Sequence, residues 1–348
     1  LLTFILEKIL KNQTKKSKKI LVTILFIIPV FILSLLAGLR TENIGTDVRI
    51  YVKPVFEHAE SFDNLGDMLS SKRFTIEPGY LILNFIISRF TDNLNILMFI
   101  LEFIICACVF KGLYNFRDKF PMWLGVAVFC LLFYNRTYNI VRQCIAIFII
   151  FANLRYLLDR KYVRYVITVL VAATFHVTAL IMLVMPFMRN KKIRIASIVI
   201  LIIGFIFYNP ILEFLASKMS FGSKFLTYLN KDGLDINFLD EALRVLLITF
   251  LVYMGSFKKE YQYKLDFLTF VIFDFIILQF GMWSTFVTRA AWYFLSSYII
   301  LIPYVINLKE EKKKRDIVII LGALSVYWVY SFVYLGLAET YPYESILF

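Results

Sequence analysis

The chain has 348 residues, of which 60% are hydrophobic, and its mean hydropathy is +0.74. A soluble domain cannot bury this much apolar surface, whereas repeated apolar runs of about 20 residues match a bilayer core about 30 Å thick. The net charge is +13, but the basic residues form short clusters between apolar runs, which excludes a basic domain for nucleic acid and is typical of cytoplasmic loops. The composition therefore predicts an all-α polytopic integral membrane protein.

The first two elements set the orientation of the chain. Residues 1–19 combine an amphipathic pattern with a lysine cluster, which predicts a helix on the cytoplasmic membrane surface. The next run, residues 20–39, is too long for the hydrophobic part of a cleaved signal and is interpreted as the first span. The apolar runs together predict about 9–11 transmembrane helices in a single integral membrane domain, residues 1–348. The later spans are predicted at 93–113, 121–138, 139–157, 193–216, 239–256, 265–285, 288–308 and 315–337.

Two external segments are predicted, residues 40–92 and 217–238, and the C-terminus is also expected outside. The first of them contains the sequence EPGY, followed by an apolar run near 78–90 that is too short to cross a bilayer. Pro78 disfavours helical backbone at Glu77 and is favoured in the first turn of a helix. We therefore expect a short interfacial helix that begins just after Glu77 and holds this carboxylate at the membrane boundary.

The apolar stretch at residues 162–188 is interrupted around His176 and has a basic cluster on each side. Both flanks are expected in the cytoplasm. Each half has about 12 residues, which corresponds to about 18 Å of helix. The pattern predicts a re-entrant hairpin or a pair of half-helices with His176 near the tip. An ionisable side chain at membrane depth is a candidate functional residue.

Two spans carry a carboxylate in an otherwise apolar sequence, Glu102 and Asp274. Each of them could relay protons, as in a transporter, or could pair with an arginine or a tyrosine hydroxyl inside the bundle. All four Cys lie in apolar runs, without the spacing of a metal site. The sequence has no phosphate-binding loop and no other soluble catalytic motif, so neither a metal nor a cofactor is predicted.

Five arginines fall at or near the outer ends of five different spans, where a helical bundle brings them together. Arginine stays charged when partly buried and binds phosphate through a bidentate fork, so the set predicts a site for an anionic ligand. The alternative is that each one extends to lipid headgroups by itself. These residues are Arg40, Arg136, Arg142, Arg244 and Arg289.

Acidic side chains are predicted in the same layer as the arginines. Asp47 follows a turn just beyond the first span, and Glu77 is held by the Pro-Gly pair. A carboxylate that is partly desolvated is a stronger base than a free one. Glu77, Asp47 and His176 are therefore the candidate catalytic residues.

Six short motifs give the sequence a family resemblance. In order they are RTENIGTDVRIY, EPGY, IVRQCIAIFII, FHVTALI, TRAAWYF and YPYESILF, and they extend from about Arg40 to the C-terminus. The set resembles the EpsG family of Wzy-like bacterial polysaccharide polymerases. The resemblance implies an enzyme of the bacterial plasma membrane that joins oligosaccharide repeat units carried on undecaprenyl pyrophosphate, at the outer face and without a metal or other cofactor.

The resemblance also implies roles for the candidate residues. The arginines, Arg142 and Arg289 above all, neutralise the departing pyrophosphate, and a carboxylate or His176 accepts the proton of the acceptor hydroxyl. Tyr80, Tyr341 and Tyr343 are expected to stack on sugar rings, although a belt of interfacial tyrosines is an equally good interpretation. The expected partners are the lipid-linked donor and acceptor, membrane lipids and other polysaccharide assembly proteins.

Two other classes of function stay open at this level. A transporter or flippase for an anionic lipid-linked saccharide needs the same arginines, together with a coupling carboxylate such as Glu102 or Asp274. A membrane O-acyltransferase needs a histidine that a cytoplasmic acyl donor can reach, and His176 at the tip of a hairpin meets that requirement.

Overall fold

A computed structural model describes residues 2–11, 15–71, 73–211, 238–254, 263–308 and 312–347. Within these residues the chain is helical, and its one extended contact is an isolated antiparallel bridge between Arg40 and Ser345. The predicted external segment 217–238 lies outside the described residues except for its last position.

The described helices follow the predicted spans closely. Short π-helical segments extend several of them, at Val48–Val52, Cys130–Tyr134 and Val329–Tyr334, and 3-10 segments occupy Val177–Arg189, Phe280–Met282 and Leu337–Glu339. The α-helices are α1 (Leu2–Lys11), α2 (Lys15–Gly38), α3 (Lys53–Glu60), α4 (Leu65–Ser70), α5 (Pro78–Ser88), α6 (Leu94–Tyr114), α7 (Met122–Phe129), α8 (Asn135–Thr137), α9 (Val141–Ala152), α10 (Leu154–Leu158), α11 (Tyr162–Ala173), α12 (Lys191–Ile206), α13 (Phe238–Tyr253), α14 (Lys264–Gln279), α15 (Thr285–Thr288), α16 (Ala291–Leu295), α17 (Tyr298–Leu308) and α18 (Lys313–Trp328).

Four helical stretches of the described chain are long and apolar enough to cross a membrane by themselves, and they are joined by shorter apolar helices. The prediction of an all-α polytopic membrane protein is confirmed. The four stretches are Leu94–Tyr114, Lys264–Met282, Ala291–Leu308 and Lys313–Tyr334. The predicted interfacial helix is α5, which has 11 residues and begins at Pro78.

Helix α6 is central and defines the two faces of the molecule. Near its start, the Asn95 side chain donates to the carbonyl oxygens of Gly38 and Arg40 at 2.7 and 2.8 Å. Near its end, Lys111 Nζ donates to Asn153 Oδ1 at 3.1 Å. Asn95 and Lys111 are separated by about 24 Å along the helix. We call the end that contains Arg40 the site face and the end that contains Lys111 the basic face.

The chain termini lie at opposite faces. Glu7 of α1 accepts hydrogen bonds from the backbone N–H groups of Met122 and Trp123 at 2.6 and 3.2 Å, at the start of α7 on the basic face. The C-terminal segment runs along the site face, where the Thr41 N–H donates to the Glu344 carbonyl at 3.0 Å. This arrangement agrees with the opposite locations predicted for the two termini.

The apolar stretch around His176 folds back on itself as predicted. Helix α11 packs against the 3-10 segment Val177–Arg189, and the Tyr165 hydroxyl donates to the Met182 carbonyl at 3.2 Å across the pair. The Arg189 guanidinium donates to the Leu158 carbonyl at 2.8 Å, which returns the end of the 3-10 segment to the basic face. The half-helix pair is therefore confirmed, with His176 at its tip.

The two mid-span carboxylates both have protein partners. Asp274 accepts two hydrogen bonds from Arg244, at 3.2 and 3.3 Å, and both side chains are fully buried. Glu102 accepts a hydrogen bond from Thr137 Oγ1 at 2.9 Å. A charge inside a membrane bundle is tolerated when it is paired. This geometry matches structural pairing with an arginine for Asp274, whereas Glu102 has a neutral hydroxyl as its partner and both interpretations of Glu102 stay open.

Candidate functional site

The site is built around the start of helix α5. Glu77 has extended backbone angles, φ −64° and ψ 141°, because Pro78 disfavours a helical conformation before it. The Gly79 N–H donates to the Thr174 carbonyl at 2.8 Å, and the Val177 N–H donates to Glu77 Oε1 at 2.9 Å. The start of α5 is thus attached to the tip of the half-helix pair by two hydrogen bonds, one to Thr174 before His176 and one from Val177 after it.

Gly79 is required by this close approach. A Cβ atom at position 79 lies 2.3 Å from Thr174 Oγ1 and 2.7 Å from the Thr174 carbonyl oxygen, which is too close for any side chain. The Pro-Gly pair in EPGY therefore has two separate effects: Pro78 starts the helix, and Gly79 lets the half-helix pair reach it.

Arg142, in the first turn of α9, completes the contact. Its Nη1 donates to Glu77 Oε2 at 2.6 Å, and each of the two side chains is 18% exposed. The guanidinium lies over the rings of Tyr51 and Tyr80, at 5.3 and 5.9 Å from their centroids. Its other N–H groups have no partner among the described residues and are not sealed from solvent. Arg142 is thus held in place with part of its fork available to an anion.

Asp47 lies near the same arginines but has no partner among the described residues for its carboxylate. Its backbone N–H donates to Asn139 Oδ1 at 3.0 Å, which ties the turn before it to the start of α9. Burial raises the pKa of Asp47 to about 6, and the nearby charges of Arg289 and Arg142 offset part of that rise. The carboxyl group is therefore largely ionised at neutral pH while remaining more basic than a free aspartate.

Arg289 is the most accessible charge of the group. The backbone carbonyl of Arg289 accepts a hydrogen bond from Gln143 Nε2 at 2.8 Å. Because Gln143 directly follows Arg142, this bond holds the Arg289 backbone close to the start of α9. The Arg289 side chain is exposed and forms no ion pair with the residues that the structure describes. An exposed guanidinium and a second, braced one that both act on Asp47 suit an incoming anion that carries two phosphates.

His176 lies in the same field, since the charges of Glu77, Arg142 and Arg289 all act on its ring. The structure therefore brings five predicted residues from five separate parts of the sequence together at the site face. We call this set the charged cluster; it consists of Asp47, Glu77, Arg142, His176 and Arg289.

The other three predicted arginines have different partners. Arg136 donates to Asp240 at 3.0 Å and to the Tyr327 hydroxyl at 2.6 Å, and Arg244 pairs with Asp240 and Asp274. Arg40 is buried with its guanidinium 4.1 Å from the centroid of the Tyr138 ring. Arg40 Nε and Nη1 have no hydrogen-bond partner among the described residues but are buried, so none of the three arginines offers an exposed fork. Their assignment to pyrophosphate stays a prediction from the sequence.

The three candidate sugar-binding tyrosines differ in exposure. Tyr80 is completely buried beneath Arg142, whereas Tyr341 and Tyr343 are 56% and 40% exposed. The Tyr343 hydroxyl donates to the Leu36 carbonyl at 2.6 Å, at the end of α2. Tyr80 therefore supports the position of the arginine, and only the two C-terminal tyrosines present ring surface for stacking.

Three uncharged side chains of the site escaped the sequence reasoning. Gln143 orients the Arg289 backbone, and Thr178 and Tyr293 continue a hydrogen-bonded chain from His176. All three lie within one to four residues of a predicted site residue in the same motif, and this proximity is the one signal in the sequence that could have found them. Among the described residues, no group of three or more His, Cys, Asp or Glu side chains is placed to hold a metal ion.

Comparison with known proteins gives one match. A sequence model described as the EpsG family matches residues 23–345, which is nearly the whole chain. No curated protein and no solved structure matches it.

Proposed function

The chain belongs to the EpsG family, a family of Wzy-like polysaccharide polymerases, and from this premise we propose that it joins oligosaccharide repeat units carried on undecaprenyl pyrophosphate. The observation that carries the proposal is the charged cluster, in which an open guanidinium, a braced guanidinium and an unpartnered carboxylate meet at one face. A polymerase that uses a preactivated donor needs these groups: one set for the leaving pyrophosphate and one base for the acceptor.

The proposed reaction is a direct displacement at the anomeric carbon of the donor. The acceptor hydroxyl loses its proton to a carboxylate as its oxygen bonds to that carbon. The bond between the anomeric carbon and the pyrophosphate oxygen breaks, and the electron pair leaves with the lipid pyrophosphate. Arg289 and Arg142 stabilise the negative charge that develops there. Inversion at the anomeric carbon is the simplest outcome of such a single displacement.

Asp47 is the better candidate for the base. Both oxygens of Glu77 already accept hydrogen bonds, from Arg142 and from the Val177 N–H. The Glu77 carboxylate is thus occupied, whereas the Asp47 carboxylate accepts no hydrogen bond from the described residues and burial raises its pKa to about 6. We therefore assign proton abstraction to Asp47 and the positioning of Arg142 and the half-helix tip to Glu77.

The site face is proposed to be the outer face of the plasma membrane. Lysine and arginine side chains gather at the basic face, as at Lys111 and Arg189, and such an excess is expected on the cytoplasmic side. The proposed donor is already activated by its pyrophosphate and needs no nucleotide at the site, so an outward-facing site suits the proposed reaction. The same orientation puts the N-terminus inside and the C-terminus outside.

The transporter alternative has less support. Coupled transport needs a carboxylate that changes its protonation and its partners during the cycle. In the part of the chain that the structure describes, Asp274 is tied to Arg244 and Glu102 to Thr137. The ion pair makes Asp274 a fixed element of the bundle. The carboxylate that has no partner among the described residues, that of Asp47, lies at the site face instead.

Deletion of the gene tests the proposal directly. We expect loss of long cell-surface polysaccharide together with accumulation of single lipid-linked repeat units, measured by gel electrophoresis and by mass spectrometry of extracted lipids. A flippase gives a different result, because its loss leaves the lipid-linked units inaccessible to a sugar-modifying probe applied outside the cell. An unchanged distribution of polymer lengths contradicts the proposal.

The assignment of Asp47 predicts a pH dependence. With a pKa of about 6, about a tenth of the carboxyl groups are ionised at pH 5 and about nine tenths at pH 7. Since the ionised form is the base, kcat/KM should rise through pH 6 and then level off. The Asp47→Asn variant should lose most activity, and the rise of kcat/KM through pH 6, which we call the acidic limb, should disappear with it.

Asp63→Asn is the matched control, because Asp63 is an exposed aspartate of the same external segment. It should keep the wild-type pH profile. An acidic limb that is unchanged in Asp47→Asn, with substantial residual activity, assigns the base to another residue.

A further inference from the structure

Three side chains form a hydrogen-bonded chain that leads away from the charged cluster. His176 Nδ1 lies 2.6 Å from Thr178 Oγ1, and Thr178 Oγ1 lies 3.2 Å from the Tyr293 hydroxyl oxygen. Tyr293 is 1% exposed, so its hydroxyl proton needs an acceptor inside the protein. These hydrogen bonds connect the half-helix tip to α16, two elements that are far apart in the sequence.

The direction of these bonds follows from counting protons. If Tyr293 donates to Thr178 and Thr178 donates to His176, then each hydroxyl proton has an acceptor and Nδ1 carries none. If His176 donates instead, either Thr178 or Tyr293 is left with a proton that has no acceptor among the described residues. The first direction gives every hydroxyl proton of this network an acceptor within the protein, so it is preferred.

The protonation state of the ring follows from its neighbours. Burial of the ring disfavours its charged form most, and Arg142 and Arg289 add to that effect. Glu77 acts in the opposite direction, but its charge is already paired with Arg142. Two cations beside a partly buried imidazole disfavour a third positive charge. The ring is then neutral, and its single proton is on the nitrogen that Thr178 does not contact.

From this geometry we infer that Thr178 and Tyr293 are positioning residues that hold His176 as the Nε2–H tautomer, so that the ring presents a hydrogen-bond donor to the site. Nε2 has no partner among the described residues and is not sealed from solvent, so a ligand can reach it. In this tautomer Nε2 cannot accept a proton, and His176 is not the general base.

The ligand of this donor is an anionic oxygen. Nε2–H lies in the field of Arg142 and Arg289, where a phosphate oxygen receives hydrogen bonds from several sides. The identification of that oxygen with the leaving pyrophosphate rests on the proposed function. The tautomer itself rests only on the hydrogen bonds within the protein.

Nitrogen NMR of the histidine rings tests the inference. The chain contains only two His, so ring-labelled, full-length protein in lipid nanodiscs gives two sets of signals, and His58→Asn identifies the set that belongs to His176. We expect the wild-type His176 ring at neutral pH to carry its proton on Nε2 only. A proton on Nδ1, alone or together with one on Nε2, overturns the inference.

Two substitutions test whether Thr178 and Tyr293 are the cause. Thr178→Val should convert the single tautomer to a mixture, because no hydroxyl remains to donate to Nδ1. Tyr293→Phe should do so to a smaller extent, because the Thr178 hydroxyl keeps its proton and loses only the donor that polarises it. Thr178→Ser should keep the single tautomer, because serine retains the hydroxyl. If Thr178→Val does not fold, Tyr293→Phe and the wild-type spectrum decide. A single Nε2–H tautomer that persists in both disruptive variants shows that these residues do not hold the ring.

Matched controls are available in the same half-helix pair. Thr168→Val removes a hydroxyl that donates to the Arg164 carbonyl, and Tyr165→Phe removes the bond to Met182. Neither should alter the His176 tautomer. Because the readout is a spectrum and not polymer formation, it separates a failure of this inference from a failure of the proposed function.

Discussion

Replacement of Arg289 by lysine is expected to lower the rate of polymer formation by about a hundredfold or more, with normal membrane insertion. Arg289 is exposed and forms no ion pair with the described part of the chain, so the substitution breaks no ion pair there. Lysine keeps the positive charge but loses the planar fork that binds two phosphate oxygens at once. The loss should therefore be specific to the reaction and should leave the thermal stability within about 0.5 kcal/mol of the wild type.

The measurement separates binding from catalysis. If Arg289 stabilises charge that develops on the leaving group, kcat and kcat/KM should fall together, with little change in KM. Arg73→Lys is the control, because Arg73 is an exposed arginine of the same external segment whose guanidinium lies over the Phe74 ring. Near-normal polymer from Arg289→Lys identifies the residue as an anchor to lipid headgroups.

Replacement of Glu77 by glutamine should release the half-helix tip and abolish most activity. The carboxylate accepts one bond from Arg142 at 2.6 Å and one from the Val177 N–H at 2.9 Å, and both need an acceptor oxygen. Glutamine has a single carbonyl oxygen and directs an NH₂ group at one of the two donors. A hydrogen bond to a charged group contributes about 1.5–3 kcal/mol, so the tip should open far more often.

Hydrogen exchange of the tip, residues 174–179, gives a direct readout and should be faster in Glu77→Gln. Gly79→Ala should produce the same local change by another route, because its Cβ collides with Thr174 while the carboxylate stays intact. Glu57→Gln, which replaces an exposed glutamate of the same external segment, should behave like the wild type.

The combination of readouts decides the role of Glu77. Suppose that Glu77→Gln binds the lipid-linked unit, makes no polymer and shows unchanged hydrogen exchange at residues 174–179. Glu77 is then the general base. Full-length polymer together with a protected tip contradicts both the positioning role and the catalytic role.

The amino-acid sequence by itself determined the helical membrane architecture. The spans, the half-helix pair around His176 and the start of α5 at Pro78 all agree with the structure. These features depend on the local apolar run, the local charge and the local backbone, because the bilayer acts on each segment separately. The six motifs also indicate the family that the sequence model confirms.

Only the tertiary structure decided which charges meet. Glu77 and Arg142 are 65 residues apart in the chain, and Glu77 binds the Val177 N–H across 100 residues. Five arginines share the same predicted layer in the sequence, yet Arg136 and Arg244 are engaged with buried aspartates, while Arg289 is exposed and has no ion pair with the described residues. The rotation of each helix about its axis and the packing of its neighbours determine these pairings. Hydropathy, which averages over all sides of a helix, carries no information about either.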